Sequence, residues 1–178
     1  MLQSRVRAIP GLDGSHNGTC LYATVYWLYE DLHGVAPTNQ TMGDINFHCT
    51  FNRIFADLIS VGSRVSRPMF GSLTFPPGTV LVFQKNGQPG HGCIVKSTTA
   101  IGGYNQTNWF STIGIKHSYS EHSPNDIVWR GAKNPYDVNV NVVLPPFPPH
   151  PNWGALYQID QNRAKDVLFR HKKSMPAG

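Results

Sequence analysis

The segment Thr19-Cys20-Leu21-Tyr22-Ala23-Thr24-Val25-Tyr26-Trp27-Leu28-Tyr29 restricts what this chain can fold into more than any other. It is apolar or aromatic at nearly every position, so a helix built from it has no polar face to turn toward water and must be enclosed. Gly34 supplies a left-handed stop, and the pattern predicts a helix over residues 19–33. A chain of 178 residues with 40% hydrophobic content can supply one core around it. The Gly18-Thr19 lead-in also sets Cys20 in the first turn. There, unpaired backbone N–H groups and the positive end of the helix dipole favour thiolate, the nucleophilic form.

Charged residues make up only 14% of the chain, which marks it as folded rather than disordered. The net charge is +5 and the pI about 9.2, so polyanions are plausible partners. The only dense basic cluster is Arg170-His171-Lys172-Lys173, so sequence-specific nucleic-acid binding is not expected. A mild positive charge also suits a bacterial wall carrying anionic polymers. Met1-Leu2-Gln3-Ser4-Arg5-Val6-Arg7 has no long apolar stretch of the signal-peptide kind, and no run is long enough to span a bilayer. Synthesis in a reducing compartment, or export by a non-classical route that does not read an N-terminal signal, is the corresponding expectation. The three cysteines, Cys20, Cys49 and Cys93, are odd in number and lack paired spacing, so neither a disulfide framework nor a zinc site is expected. No metal or cofactor is implied.

Residues 1–18 read as an irregular lead-in. A second helix is predicted over residues 42–60, with Phe47, Phe51, Ile54, Phe55, Leu58 and Ile59 at helical spacing, Thr41 and Asp44 as a capping box, and Gly62 as its end. Cys49 falls inside it as a packing residue. Residues 63–77, rich in Gly, Pro and Ser, read as a surface loop. Strands follow over 78–83 and 91–97, joined by a hairpin connection at 85–90. Gly102-Gly103 reads as a turn, with further strands at 104–109, 113–118, 126–129 and 137–143; the last alternates as a half-buried strand does. Residues 145–151 are too rich in proline for a central strand or helix, and a short helix is predicted over 160–171 before a basic tail. The fold class is α+β, with N-terminal helices packed on an antiparallel sheet. Residues 1–144 are expected to form a single domain and 145–178 a Pro-rich extension.

Three further pieces carry chemistry: Gly90-His91-Gly92-Cys93-Ile94-Val95, with a histidine between glycines at a strand start; Gln106-Thr107-Asn108-Trp109; and Gly78-Thr79 opening a strand. Together with Gly18-Thr19-Cys20-Leu21-Tyr22-Ala23, and in this order, they resemble the CHAP family of cysteine- and histidine-dependent amidohydrolases/peptidases within the papain-like class. The resemblance covers roughly residues 15–130. Two positions depart from the family pattern: Gln106 stands where a Glu is usual and Thr79 where an Asp is usual.

The resemblance implies that Cys20 attacks a carbonyl carbon, that His91 holds the thiolate as an ion pair and then protonates the leaving amine, and that Asn108 or Gln106 orients the imidazole. The Cys20 backbone N–H is one oxyanion donor, and Asn17 is a candidate for the second. Cys93, two residues after His91 on the same strand face, and Trp109 are candidates to line the site. His16 and His117 can border the cleft; His33, His48, His122, His150 and His171 read as ordinary surface or packing residues. The substrate class implied is the peptide amide bonds of peptidoglycan, as for a phage lysin or an antibacterial effector injected by a machine such as type VI secretion. An immunity protein or a secretion component would then be a partner. Two other readings stay open: a deamidase or protease acting on a host protein, and an inactive binding module.

Overall fold

The computed structural model describes residues 1–14, 16, 18–48, 50–66, 74–107, 115–116, 118–123 and 139–145. Among these it is α+β, with three α-helices against a six-stranded antiparallel sheet. Helix α1 spans Thr19–His33, α2 Asn39–His48 and α3 Phe51–Val61, after a short 3-10 turn at Leu2–Ser4. The strands are β1 (Ser63–Ser66), β2 (Val80–Lys85), β3 (Gln88–Ser97), β4 (Ala100–Gly103), β5 (Gln106–Thr107), β6 (Ile115–Lys116), β7 (Ser120–His122) and β8 (Asn139–Val143). The large sheet has the order β1-β8-β2-β3-β4-β7, while β5 and β6 pair separately.

Helix α1 has the bounds its sequence predicts. It begins after Gly18 and ends on Gly34, both in the left-handed conformation that a residue without Cβ adopts at little cost. Trp27 is fully enclosed, with Tyr104 and Tyr119 at ring-centroid distances of 6.2 and 6.1 Å. The hairpin between β2 and β3 turns on Asn86-Gly87, both at positive φ, as a two-residue turn matched to strand twist requires.

Register sorts the sheet into two faces. Val80 opposes Ile94, Val82 opposes Gly92, and Val80 also opposes Val143 on β8; Val80, Val82, Ile94 and Val143 join the core built around the helices. The alternate residues Leu81, Phe83, Cys93, Val95, Val140 and Val142 form a second buried cluster on the far face. The β8 strand is therefore not half-buried, as its alternation suggested, but lies between β1 and β2 with both faces covered. Even Asn141 is fully buried, its amide nitrogen donating to Val82 O at 3.3 Å and Gln84 Oε1 at 2.9 Å.

Several expectations are corrected. The long second helix is two helices: Thr50 caps α3, its hydroxyl accepting from the Arg53 N–H at 3.3 Å, and a side-chain cap of this kind starts a new helix. The capping residue of α2 is Thr38, which accepts from the Thr41 N–H at 3.1 Å, instead of the Thr41/Asp44 box. Phe47 faces solvent at 62% exposure, because the break rotates α2 out of the register of α3. Residues 63–66 are not loop but edge strand β1, paired to β8. Gly102-Gly103 is not a turn; it lies within β4, and the turn falls at Thr98-Thr99. The expected strand at 126–129 and helix at 160–171, together with Cys49, lie outside the described residues.

The lead-in is irregular as expected, apart from its 3-10 turn, but it is packed against the core. Leu2, Val6 and Ile9 are buried, and the Ile9 N–H donates to Tyr104 Oη at 2.8 Å. Arg7 clasps the buried Glu30 of α1 with two parallel bonds of 2.9 and 2.7 Å. This strap crosses the sheet over Gly102, where an added Cβ would lie 2.5 Å from Val6 Cγ1 and 2.9 Å from Tyr119 Oη. Gly102→Ala should therefore lower unfolding free energy in urea by about 1–3 kcal/mol, as overpacked sites do. The control Gly43→Ala, in α2 with open space at its Cβ position, should be neutral or slightly stabilising.

Candidate active site

The N-terminus of α1 is capped by Gly18, which carries no side-chain oxygen to occupy the first-turn N–H groups. The Leu21 N–H instead bonds Gly18 O at 3.0 Å, and the N–H groups of Cys20 and Leu21 act on the Cys20 sulfur through their dipoles, favouring its charged form. Around it the loop is fastened: Thr19 Oγ1 donates to His16 O at 2.8 Å, and Asn105 Nδ2 donates to His16 O at 3.1 Å, tying the helix start to the end of β4. The His16 ring is exposed and faces Asp13. Asn17 lies outside the described residues.

The main-chain group acting most strongly on the sulfur comes from the sheet, the backbone N–H of Gly92 on β3. The ladder explains it. Val95 donates its N–H to Thr79 O at 2.9 Å, on the β2 side, so N–H groups two residues apart along this strand point to β2 and those between point to β4. β4 pairs with β3 only over Ile94, Val95 and Ser97. At Gly92 that edge of β3 has no partner strand in the ladder, and Cys20 occupies it.

His91 precedes Gly92 and leaves the strand on the opposite face from the helices, its ring 5.7 Å from that of Phe83. It is buried, as is Cys93 on the same face. The structure thus brings Cys20, His91 and Cys93 to one short length of β3, with sulfur and imidazole arriving from opposite sides of the sheet. Gln106 joins the His91 and Cys93 face: a Cβ on Gly103 would meet Cys93 Cβ at 3.1 Å and Gln106 Cδ at 3.2 Å. The Gln106 amide nitrogen donates to Ile101 O at 3.1 Å and Ser120 O at 2.8 Å. Two carbonyls can be met only by the NH2 group, so the orientation of the carboxamide is fixed. Asn108 and Trp109, the other candidates from that motif, lie outside the described residues, as does His117.

The electrostatics differ from the expected ion pair. Burial raises the Cys20 thiol above its ordinary range, and the N–H groups of Gly92, Leu21 and Cys20 pull it back by less. Burial lowers His91 from 6.5 to about 4, with a further contribution from His122. The resting pair is therefore neutral thiol and neutral imidazole. Cys93 is pushed up by burial and by proximity to Cys20. His122, read from sequence as ordinary, sits on β7 with Nε2 3.0 Å from Ser120 Oγ and contributes to the field at His91. Nothing in the sequence marks it, because the two histidines belong to strands separated by β4.

Among the described residues no group of three or more His, Cys, Asp or Glu side chains could hold a metal ion, and no helix is long and apolar enough to cross a membrane. No family model, curated protein or solved structure matches the chain.

Two predictions follow from these protonation states. Alkylation of Cys20 by iodoacetamide, followed by peptide mass spectrometry, should rise only at pH values above the ordinary thiol range; an ion pair would instead give a rapid plateau below neutrality. For His91 the unfolded chain binds more protons than the folded one between about pH 4 and 6.5, so stability should fall as pH drops through that window, by up to about 3 kcal/mol. Chemical denaturation of wild type and His91→Gln at a series of pH values measures it, and the variant should lose this part of the slope.

Proposed function

We propose that this chain is a cysteine amidohydrolase of the CHAP type, with a papain-like arrangement of helix and sheet, cleaving amide bonds of bacterial peptidoglycan. The observation that carries the reading is the Cys20 sulfur in the first turn of a buried helix, seated against the main chain at Gly92, the residue after His91. A thiol that only filled core space would gain nothing from a helix start and a strand N–H turned toward it. The order Cys20, His91, then Gln106 and Asn108 is that of the family the sequence resembles, and the peptidoglycan substrate rests on that resemblance.

In this mechanism neutral His91 removes the Cys20 proton as the sulfur attacks the amide carbon, so thiolate forms only with bond formation. Charge develops on the carbonyl oxygen within reach of the helix terminus, where backbone N–H groups stabilise it. The imidazolium then protonates the leaving amine, the C–N bond breaks, and a thioester to Cys20 remains. Water, deprotonated by the same imidazole, hydrolyses it and restores the thiol. Gln106, with its NH2 group held by Ile101 and Ser120, presents its oxygen as a fixed acceptor for the histidine; Asn108 is the alternative acceptor. The setting is a lysin or a secreted antibacterial effector, for which an immunity protein is the corresponding partner.

Purified peptidoglycan sacculi incubated with wild type should release fragments with new amino and carboxyl ends, resolved by mass spectrometry. Cys20→Ala and His91→Ala should release none above background, a loss of at least about a thousandfold for removal of a nucleophile or its base. Intact sacculi after incubation with folded wild type would contradict the assignment and direct the search to protein substrates.

A further inference from the structure

We propose that the backbone N–H of Gly92 is a positioning donor for the nucleophile, fixing the Cys20 sulfur relative to His91 through the single peptide unit that joins residues 91 and 92. The proposal rests on Cys20 and His91 acting together, as in the reading above, but its test addresses the sulfur directly.

Three observations converge on this donor. First, the ladder leaves the Gly92 N–H on the β4 side of β3, beyond the last residues that β4 pairs. A backbone donor at a buried position needs an acceptor, and the Cys20 sulfur supplies it. Second, only a residue without a side chain lets the helix come this close. A Cβ on Gly92 would fall 2.4 Å from Phe55 Cε1, 2.7 Å from Phe55 Cζ and 3.2 Å from Thr24 Oγ1. Third, Thr24 Oγ1 donates to Cys20 O at 2.9 Å, so the side chain that abuts Gly92 also holds the first turn of α1.

The consequence is geometric. The Gly92 N–H lies in the same planar unit as the His91 carbonyl, and that unit has one stiff bond and no soft torsion between its ends. Seating the sulfur on this N–H therefore fixes the Cys20 rotamer and sets the distance of the sulfur from the His91 Cα. An enzyme whose nucleophile and base come from elements far apart in sequence needs such a reference point, because a displacement of about 1 Å in a reacting group can cost roughly a hundredfold in rate. It also explains a glycine on a buried central strand, where glycine otherwise weakens a sheet.

Nuclear magnetic resonance reads the contact itself. Labelling histidine with 13C at the carbonyl and glycine with 15N selects the His-Gly peptide bonds, which in this chain are His33-Gly34 and His91-Gly92. Gly34, whose N–H bonds to Glu30 O at 2.9 Å, is the internal control and report of folding. As pH is raised through the range in which Cys20 becomes alkylatable, the Gly92 amide proton should move downfield while Gly34 stays in place. The groups around the sulfur that could also titrate are His91 and Cys93 on β3; His91 ionises far below this range, and Cys93 persists in the controls. The step should vanish in Cys20→Ala and in wild type whose Cys20 has been S-methylated. A Gly92 signal that stays flat while Cys20 ionises, or one that steps equally in both controls, would overturn the proposal.

Discussion

Everything in this structure depends on a nearly featureless apolar helix being closed in on all sides. α1 has no polar face until Glu30, so the sheet, α3 and the lead-in must each come to it. The sheet does so through glycines. Gly92 admits the Thr24 side chain of α1 and the ring of Phe55, and Gly102 admits Val6 and Tyr119. Arg7, with Arg5 at 3.6 Å, then closes the far end on the buried Glu30 carboxylate and supplies its counter-charge. The packing that hides the helix is also what sets Cys20 on β3.

That seating has an electrostatic cost that decides the chemistry. A helix N-terminus favours thiolate, but this sulfur is buried, and desolvation outweighs the main-chain N–H groups around it. The same burial strips His91 of its proton. In the proposed reaction a neutral pair of this kind follows the logic of a serine hydrolase: the proton moves during attack, and the base must be well placed because the nucleophile is not preformed. Placement thus matters more here than resting charge. A histidine held by its own main chain next to the sulfur's donor, on a strand paired along its length to β2, has the rigidity that this demands.

Much of this was legible in the sequence, and what was not has physical causes. Gly18 and Gly34 bracket α1 because capping is local, and Asn86-Gly87 announces its hairpin for the same reason. The α+β class followed from the change of hydrophobic period after residue 62. The break between α2 and α3 was hidden because Thr50 sits inside a run whose apolar spacing continues on both sides. Strand β1 and the full burial of β8 were hidden because their pairing joins segments some seventy residues apart, which no local pattern records. At the site, Cys20 and His91 stood out by their glycine-flanked context, and Gln106 by its motif. The role of Gly92 was invisible, since it depends on where β4 stops, and so was the contribution of His122.

The central claim is that Cys20 forms a covalent bond to a substrate carbonyl carbon. Acid quenching of the folded protein during turnover with purified peptidoglycan fragments, followed by peptide mass analysis, tests it most directly. The account predicts a Cys20 peptide carrying the acyl portion of the fragment, released by hydroxylamine as a thioester is, and absent from His91→Ala. Fragment cleavage proceeding at full rate in Cys20→Ala, with no adduct on Cys20 in wild type, would contradict it.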